Sequence, residues 1–276
     1  PKPSSAASDV YKRQLQDIAH LGWAGLAVDA LVLSSTFVLA VWLGTRWLGL
    51  ERSTAVLIGA GSSICGAAAV LATAPVARAR NDQVAVAVAT VVVFGTLAVF
   101  IYPTLAAALQ PAVGDPRFAG LYMGSTIHEV AQVVAAGRSL GEGTADMAIV
   151  AKLVRVLMLA PFLVALSWWL GRDRSGRDGQ SGHAGRQPAI AVPWFAVAFM
   201  AVVALHSLFP LPAVVSQAAM TLDTVLLATA MAALGLGTHH TAIRRAGIRP
   251  LILASVLFAW LLGGGAVINA VALRLG

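Results

Sequence analysis

The sequence predicts an all-α protein, a polytopic transmembrane helical bundle with two related interrupted helices. Hydrophobic residues make up 58% of the chain and charged residues 11%, and the mean hydropathy is +0.81. A soluble protein would need a much more strongly charged surface. Apolar runs of about 20 residues, the length of a helix that crosses a bilayer, recur along the chain. Two of these runs are interrupted at corresponding places by Gly and Ser.

We expect the first residues to differ in origin from the rest of the chain. Residues 4–14 read like the translation of a transposase-type sequencing adapter, so we expect 1–14 to be a library artefact and not a targeting peptide. The native protein would then begin upstream, and we expect further N-terminal helices there. Residues 15–276 are predicted to form a single transmembrane domain.

Eight membrane segments are predicted in that domain. Asp29 lies close to the start of the first segment, where an interfacial position is expected. Residues 171–190 are rich in Arg, Gly and Ser, which predicts a flexible cytoplasmic linker. The segments cover residues 23–45, 55–77, 84–109, 118–137, 147–170, 191–209, 213–236 and 250–273.

Two of the segments, 55–77 and 118–137, either cross the bilayer or re-enter it as hairpins. Gly residues and Pro75 weaken the helix over 55–77. Under both arrangements most of the arginines fall in cytoplasmic loops, so the positive-inside rule does not decide between them. The net charge of +7 therefore reflects orientation in the lipid bilayer, and no nucleic-acid partner is expected.

The two interrupted segments resemble each other in sequence. Residues 61–72 align with residues 124–135, so that each Gly-Ser pair is matched and Ser63 aligns with Thr126. Paired Gly-interrupted apolar segments point to the binding site of a transporter. The alternative is that these small residues only allow close helix packing.

An anion is the ligand that such interruptions favour. The N-terminus of a half-helix presents free N–H groups and the positive end of a dipole. Glycines let the backbone approach a ligand, and hydroxyl groups add donors. The predicted binding residues are Gly61, Ser62, Ser63, Gly124, Ser125, Thr126, His128 and Gln132.

Charged residues inside apolar segments indicate a functional network. Glu129 adjoins His128, and Lys152 and Arg155 share one face of the next segment because they are three residues apart. Buried charges are normally paired, so we expect these cations to be partners of Glu129 or His128. The network either couples transport to protons and steers the anion, or is a fixed ion-pair lock.

Other function classes find little support in the sequence. A metalloprotease motif would need a histidine at position 132, which is Gln132, and there is no Gly-x-Ser-x-Gly elbow or nucleotide-binding Gly-Lys-Ser/Thr motif. We expect no enzyme activity, no cofactor and no metal, since His239 and His240 lack further ligands. A membrane subunit or sensor without transport activity stays an alternative.

Four stretches together resemble the YeiH family of bacterial inner-membrane proteins: residues 57–66, 128–137, 152–161 and 230–236. The resemblance extends over residues 15–276. It implies a multi-pass inner-membrane protein, similar to inverted-repeat transporters with broken helices. Members are commonly labelled sulfate exporters, which implies export of a small anion such as sulfate, sulfite or a sulfonate. The oligomeric state is left open, a homo-oligomer included.

Overall fold

The computed structural model describes residues 4–175 and 247–275, with isolated positions between 214 and 232. Side chains are described over 25–172 in the first of these ranges. The predicted segments 191–209 and 213–236 and most of the predicted linker 171–190 lie outside the described residues. Within the described ranges the secondary structure is helical, without strands.

Nine helices are described, and they are numbered here in chain order. The second predicted segment is divided between α2 and α3, and the fourth between α5 and α6. The helices are α1 (Ser4–Arg46), α2 (Arg52–Ser63), α3 (Ala67–Ala77), α4 (Asn81–Val113), α5 (Phe118–Thr126), α6 (Val130–Arg138), α7 (Glu142–Leu157), α8 (Leu159–Ser175) and α9 (Ile248–Leu275).

Four stretches of the described chain are long and apolar enough to cross a bilayer. They are Gly25–Arg46, Asn81–Val113, Glu142–Arg172 and Ile248–Leu275. The third stretch comprises α7 and α8, which follow each other directly. This architecture confirms the predicted polytopic helical membrane protein, whereas the inverted repeat stays a prediction.

The short helices lie inside the framework of the long ones. Helix α2 packs on α1, α3 and α4, and helices α5 and α6 both pack on α7. Helix α9 closes the group by packing on α1, α4 and α5. Almost every residue of α2 and α5 is buried as a result. The polar residues at their ends are therefore enclosed by protein.

Each pair of short helices is separated by three residues. Residues 64–66 lie between α2 and α3, and residues 127–129 lie between α5 and α6. Gly66 has a φ of +71°, a left-handed conformation that glycine adopts without steric cost. Ile127 and Glu129 have extended backbones instead. Both interruptions expose backbone groups that need partners from elsewhere in the fold.

Candidate functional site

The two helix breaks touch each other. The carboxylate of Glu129, in the second break, accepts a hydrogen bond of 3.1 Å from the backbone N–H of Ala67, the first residue of α3. A Cβ atom on Gly66 would lie 2.8 Å from Oε1 of the same carboxylate, so only glycine leaves room for it. Glu129 thus places a negative charge at the N-terminus of α3, where the helix dipole stabilises it.

Lys152 connects both breaks from α7. Its side chain is fully buried, and Nζ donates one hydrogen bond of 2.9 Å to the carbonyl of Ile64 and another to the carbonyl of Ile127. These residues are the C-caps of α2 and α5. A cation stabilises the negative end of a helix dipole, and here one ammonium group serves two helix ends.

Arg155 lies one turn further along α7 and is also fully buried. Its Nε donates a hydrogen bond of 2.6 Å to the carbonyl of Ser63 at the end of α2. Its Nη1 and Nη2 atoms have no hydrogen-bond partner in the part of the chain that the structure describes. A buried cation with unsatisfied donors is costly unless a negative group pairs with it.

Asp29 is a member of this cluster that the sequence interpretation placed at the membrane interface. Only 2% of it is exposed, and it lies within electrostatic range of Arg155 and Lys152. Asp29 therefore faces the interior of the bundle. Its predicted position near the membrane interface stays a prediction. Its Oδ1 atom has no hydrogen-bond partner among the described residues.

The predicted ion pairs do not form in this arrangement. The ion pairs in the described ranges lie in exposed regions, and none joins Glu129 to Lys152 or Arg155. Glu129 bonds to a backbone N–H and Lys152 to backbone carbonyls instead. The proximity predicted from the sequence is therefore present, but the backbone of the breaks mediates it.

All four predicted hydroxyl donors are buried, and three of them are bonded within their own helices. Ser63 donates to Ala60 at 3.4 Å, while Ser125 and Thr126 both donate to the carbonyl of Tyr122, at 3.2 Å and 2.5 Å. Such local bonds are typical of Ser and Thr in helices. A ligand would have to replace these bonds in order to use the hydroxyl groups. Ser62 is buried beside them.

The predicted glycines lie at close helix contacts. A Cβ atom on Gly61 would lie 2.7 Å from the methyl groups of Val70 and Val91. A Cβ atom on Gly124 would lie 2.7 Å from the methyl group of Ala151 on α7. In this conformation both glycines therefore allow close helix packing, as the alternative interpretation expected.

His128 and Gln132 both have buried nitrogen atoms without a hydrogen-bond partner among the described residues. The amide oxygen of Gln132 accepts a hydrogen bond of 3.2 Å from the backbone N–H of Glu129, while its Nε2 has no partner in the described chain. The same holds for Nδ1 of His128, a residue within electrostatic range of Lys152 and Arg155. Two further polar groups are therefore buried at the second break, and that of His128 is close to the cations of α7.

Asn269 on α9 is a contact that the sequence interpretation missed. Its Nδ2 donates hydrogen bonds to the Ser125 hydroxyl at 2.9 Å and to the Gly265 carbonyl at 2.8 Å. It is one amide in a long apolar helix and is only 2% exposed. A single amide side chain within an apolar segment was the only feature of the sequence that indicated this contact, because polar groups inside a membrane segment need partners.

An exposed ion pair links two loops outside the membrane segments. Arg80 donates to the carboxylate of Glu51 at 2.9 Å, and Gln83 donates to the same carboxylate at 2.6 Å. The hydrogen bond from Arg80 is the main cause that lowers the pKa of Glu51. Because both charged groups are exposed, this pair contributes little to the stability of the fold.

Comparison with known proteins agrees with this architecture. A family model described as conserved hypothetical protein 698 matches residues 11–254. The UPF0324 membrane protein PA5383 of Pseudomonas aeruginosa is 58% identical over 261 residues, which cover 94% of this chain and 72% of that protein. The UPF0324 inner membrane protein YeiH of Escherichia coli K12 is 49% identical over 264 residues, with 95% and 73% covered.

These matches also settle the family and the cellular location. No solved structure matches the chain. The names of the relatives and the four long apolar stretches confirm a multi-pass protein of the bacterial inner membrane. The predicted resemblance to the YeiH proteins is confirmed by the high identity over most of the chain. The chain belongs to the UPF0324 membrane protein family, described as conserved hypothetical protein 698.

Proposed function

We propose that the protein is a secondary transporter, working as an exporter, for a small anion such as sulfate, sulfite or a sulfonate. The observation that carries this proposal is the guanidinium group of Arg155. It is fully buried beside two touching helix breaks, and two of its nitrogen atoms have no partner in the described chain. The anion would bind there, between the ends of the short helices.

The chemistry of Arg155 favours an oxyanion. A guanidinium group is planar and always charged, and it presents pairs of N–H donors that fit two oxygen atoms of one ligand. Near the second break, Gln132 Nε2 offers an additional donor that has no partner within the described ranges. Tetrahedral oxyanions and sulfonates present several oxygen acceptors at the spacing of the paired N–H donors of a guanidinium group. We therefore propose these ligands first.

The contrast between Arg155 and Lys152 argues against a purely structural cluster. Lys152 is held by the carbonyls of Ile64 and Ile127, so its charge already stabilises the ends of α2 and α5. Arg155 uses only Nε in this way. A residue that served only to hold α2 would gain nothing from two further buried donors, because each unsatisfied donor costs free energy.

Flux measurements test the proposal directly. The purified protein is reconstituted into liposomes, and the transport of labelled sulfate, sulfite and methanesulfonate is measured for the wild type and for Arg155→Gln. Loss of charge-assisted hydrogen bonds worth about 1.5–3 kcal/mol should weaken anion binding by roughly 10–150-fold. Arg138→Gln is the matched control, because the side chain of Arg138 is 62% exposed at the end of α6.

The outcomes separate the proposal from its alternatives. Transport by the wild type and by Arg138→Gln, with loss in a correctly folded Arg155→Gln, supports the anion site. Binding of an anion without flux would indicate a sensor or a membrane subunit instead. If Arg155→Gln transports as fast as the wild type, the guanidinium group does not bind the substrate and the site assignment is wrong.

A further inference from the structure

We propose that Asp29 is the proton-binding group of this transporter, and that an anion and the ionised Asp29 carboxylate compete for Arg155. Binding of one anion would then accompany the uptake of one proton by Asp29, so that the two cross the membrane together. This inference rests on the proposed anion site at Arg155. It assigns the proton, which the sequence interpretation gave as one alternative for the network around Glu129, to a residue of α1 outside that network.

The position of Asp29 supports this role. Helix α1 packs directly on α7, and Asp29 is 2% exposed with an Oδ1 atom that has no hydrogen-bond partner among the described residues. The charged groups within electrostatic range of Asp29 are Arg155 and Lys152, both from α7. The other helices that pack on α1 are α2, α5, α8 and α9, and within the described chain none of them adds a charge near Asp29.

The other charged groups near the breaks already form hydrogen bonds to backbone groups. Lys152 is bonded to two carbonyls, and Glu129 accepts from the N–H of Ala67. Arg155 keeps two donors and Asp29 keeps one carboxylate oxygen without a partner in the described residues. These two side chains therefore have atoms that can take a new partner without breaking the contacts that hold the two helix breaks together.

Competition for one guanidinium group links the anion to the proton. A bound anion and an ionised Asp29 would place two negative charges beside the same cation, and like charges that share a site favour protonation of one of them. Linkage is reciprocal, so a proton on Asp29 must in turn strengthen anion binding. A neutral Asp29 carboxyl group no longer competes with the anion for the charge of Arg155, and Asp29 ionises again when the anion leaves.

Sulfate binding as a function of pH tests the coupling. Sulfate is a suitable probe because it stays fully ionised at neutral and mildly acidic pH, so that any titration belongs to the protein. For the wild type we expect the affinity to rise by about tenfold for each unit that the pH falls, over the range in which Asp29 is ionised in the empty protein. A pH indicator in weak buffer should report one proton taken up for each sulfate bound.

Variants of Asp29 identify the group that takes up the proton. Asp29→Asn should bind sulfate with an affinity that does not depend on pH and should take up no proton, and Asp29→Ser provides a second neutral variant should the first fail to fold. Asp29→Glu should keep the pH dependence. Asp82→Asn is the matched control at an exposed carboxylate, and it should bind sulfate as the wild type does.

The results distinguish a failure of the coupling from a failure of the site. Constant sulfate affinity without proton uptake in the wild type would overturn the role of Asp29 and leave the anion site in place. A pH dependence that persists in Asp29→Asn or Asp29→Ser would assign the proton to another group and also overturn it. If neither the wild type nor any of these variants binds sulfate or methanesulfonate, the proposed anion site itself is wrong.

Discussion

The contacts of Lys152 lead to the sharpest prediction about stability. In Lys152→Met, the carbonyls of Ile64 and Ile127 would lose their common donor while staying buried. Each unsatisfied buried acceptor costs about 1–3 kcal/mol. The substitution also removes the free-energy cost of burying the ammonium group, which offsets part of this loss. We therefore expect a net loss of about 2–4 kcal/mol in the free energy of unfolding.

Thermal unfolding of the purified protein in detergent measures this loss. At a few degrees for each kcal/mol, the melting temperature should fall by roughly 5–15 °C. Arg138→Met is the control, because Arg138 is exposed and its ion pair with Glu142 is 3.9 Å long, so its melting temperature should stay close to that of the wild type. Equal melting temperatures for Lys152→Met and Arg138→Met would refute the role of Lys152 at the helix breaks.

Three further predictions concern the same contacts and the loop ion pair. Gly66→Ala should cost about 2–4 kcal/mol, because φ is +71° and the new methyl group would overlap the side chain of Glu129; a melting temperature equal to that of the wild type would contradict this. Asn269→Leu should cost about 1–2 kcal/mol through its lost bond to α5, and an unchanged melting temperature would show that the bond is dispensable. Arg80 lowers the pKa of Glu51, so the small stabilising effect of this pair is present above the usual carboxyl pKa and disappears as the pH falls through the lowered one. The melting temperatures of the wild type and Glu51→Gln should therefore converge in acid, and a gap that widens there would refute the pairing.

The sequence predicted the region of the candidate site because polar residues in an apolar run are conspicuous. Glu129 and Lys152 could be recognised as members of one cluster from their type and from the cost of burying charge. The glycines marked the two places where helices end, and both breaks are close to them. What these signals could not provide was the partner of each charge, since pairing was inferred from side chains alone.

Backbone groups explain the main difference between expectation and structure. Every residue has a carbonyl, so nothing in the sequence distinguishes Ile64 and Ile127 as the acceptors for Lys152. They become acceptors because the helices end there and leave carbonyls unsatisfied. The burial of Asp29 was missed for a different reason. Its distance from the start of an apolar run suggested the interface, whereas the packing of α1 on α7 brings it close to Arg155.

The helix ends also explain why the charges near the breaks divide into a fixed set and an exchangeable set. Lys152 lies at two helix C-termini and Glu129 at a helix N-terminus, so the dipoles hold each of them independently of any ligand. Arg155 is held by one carbonyl only, and Asp29 has an oxygen without a partner in the described chain. A site that must bind and release an anion requires this division, because the scaffold must persist while one cation changes its partner. We therefore expect substitutions of Lys152 to affect stability first, and those of Arg155 and Asp29 to affect binding first.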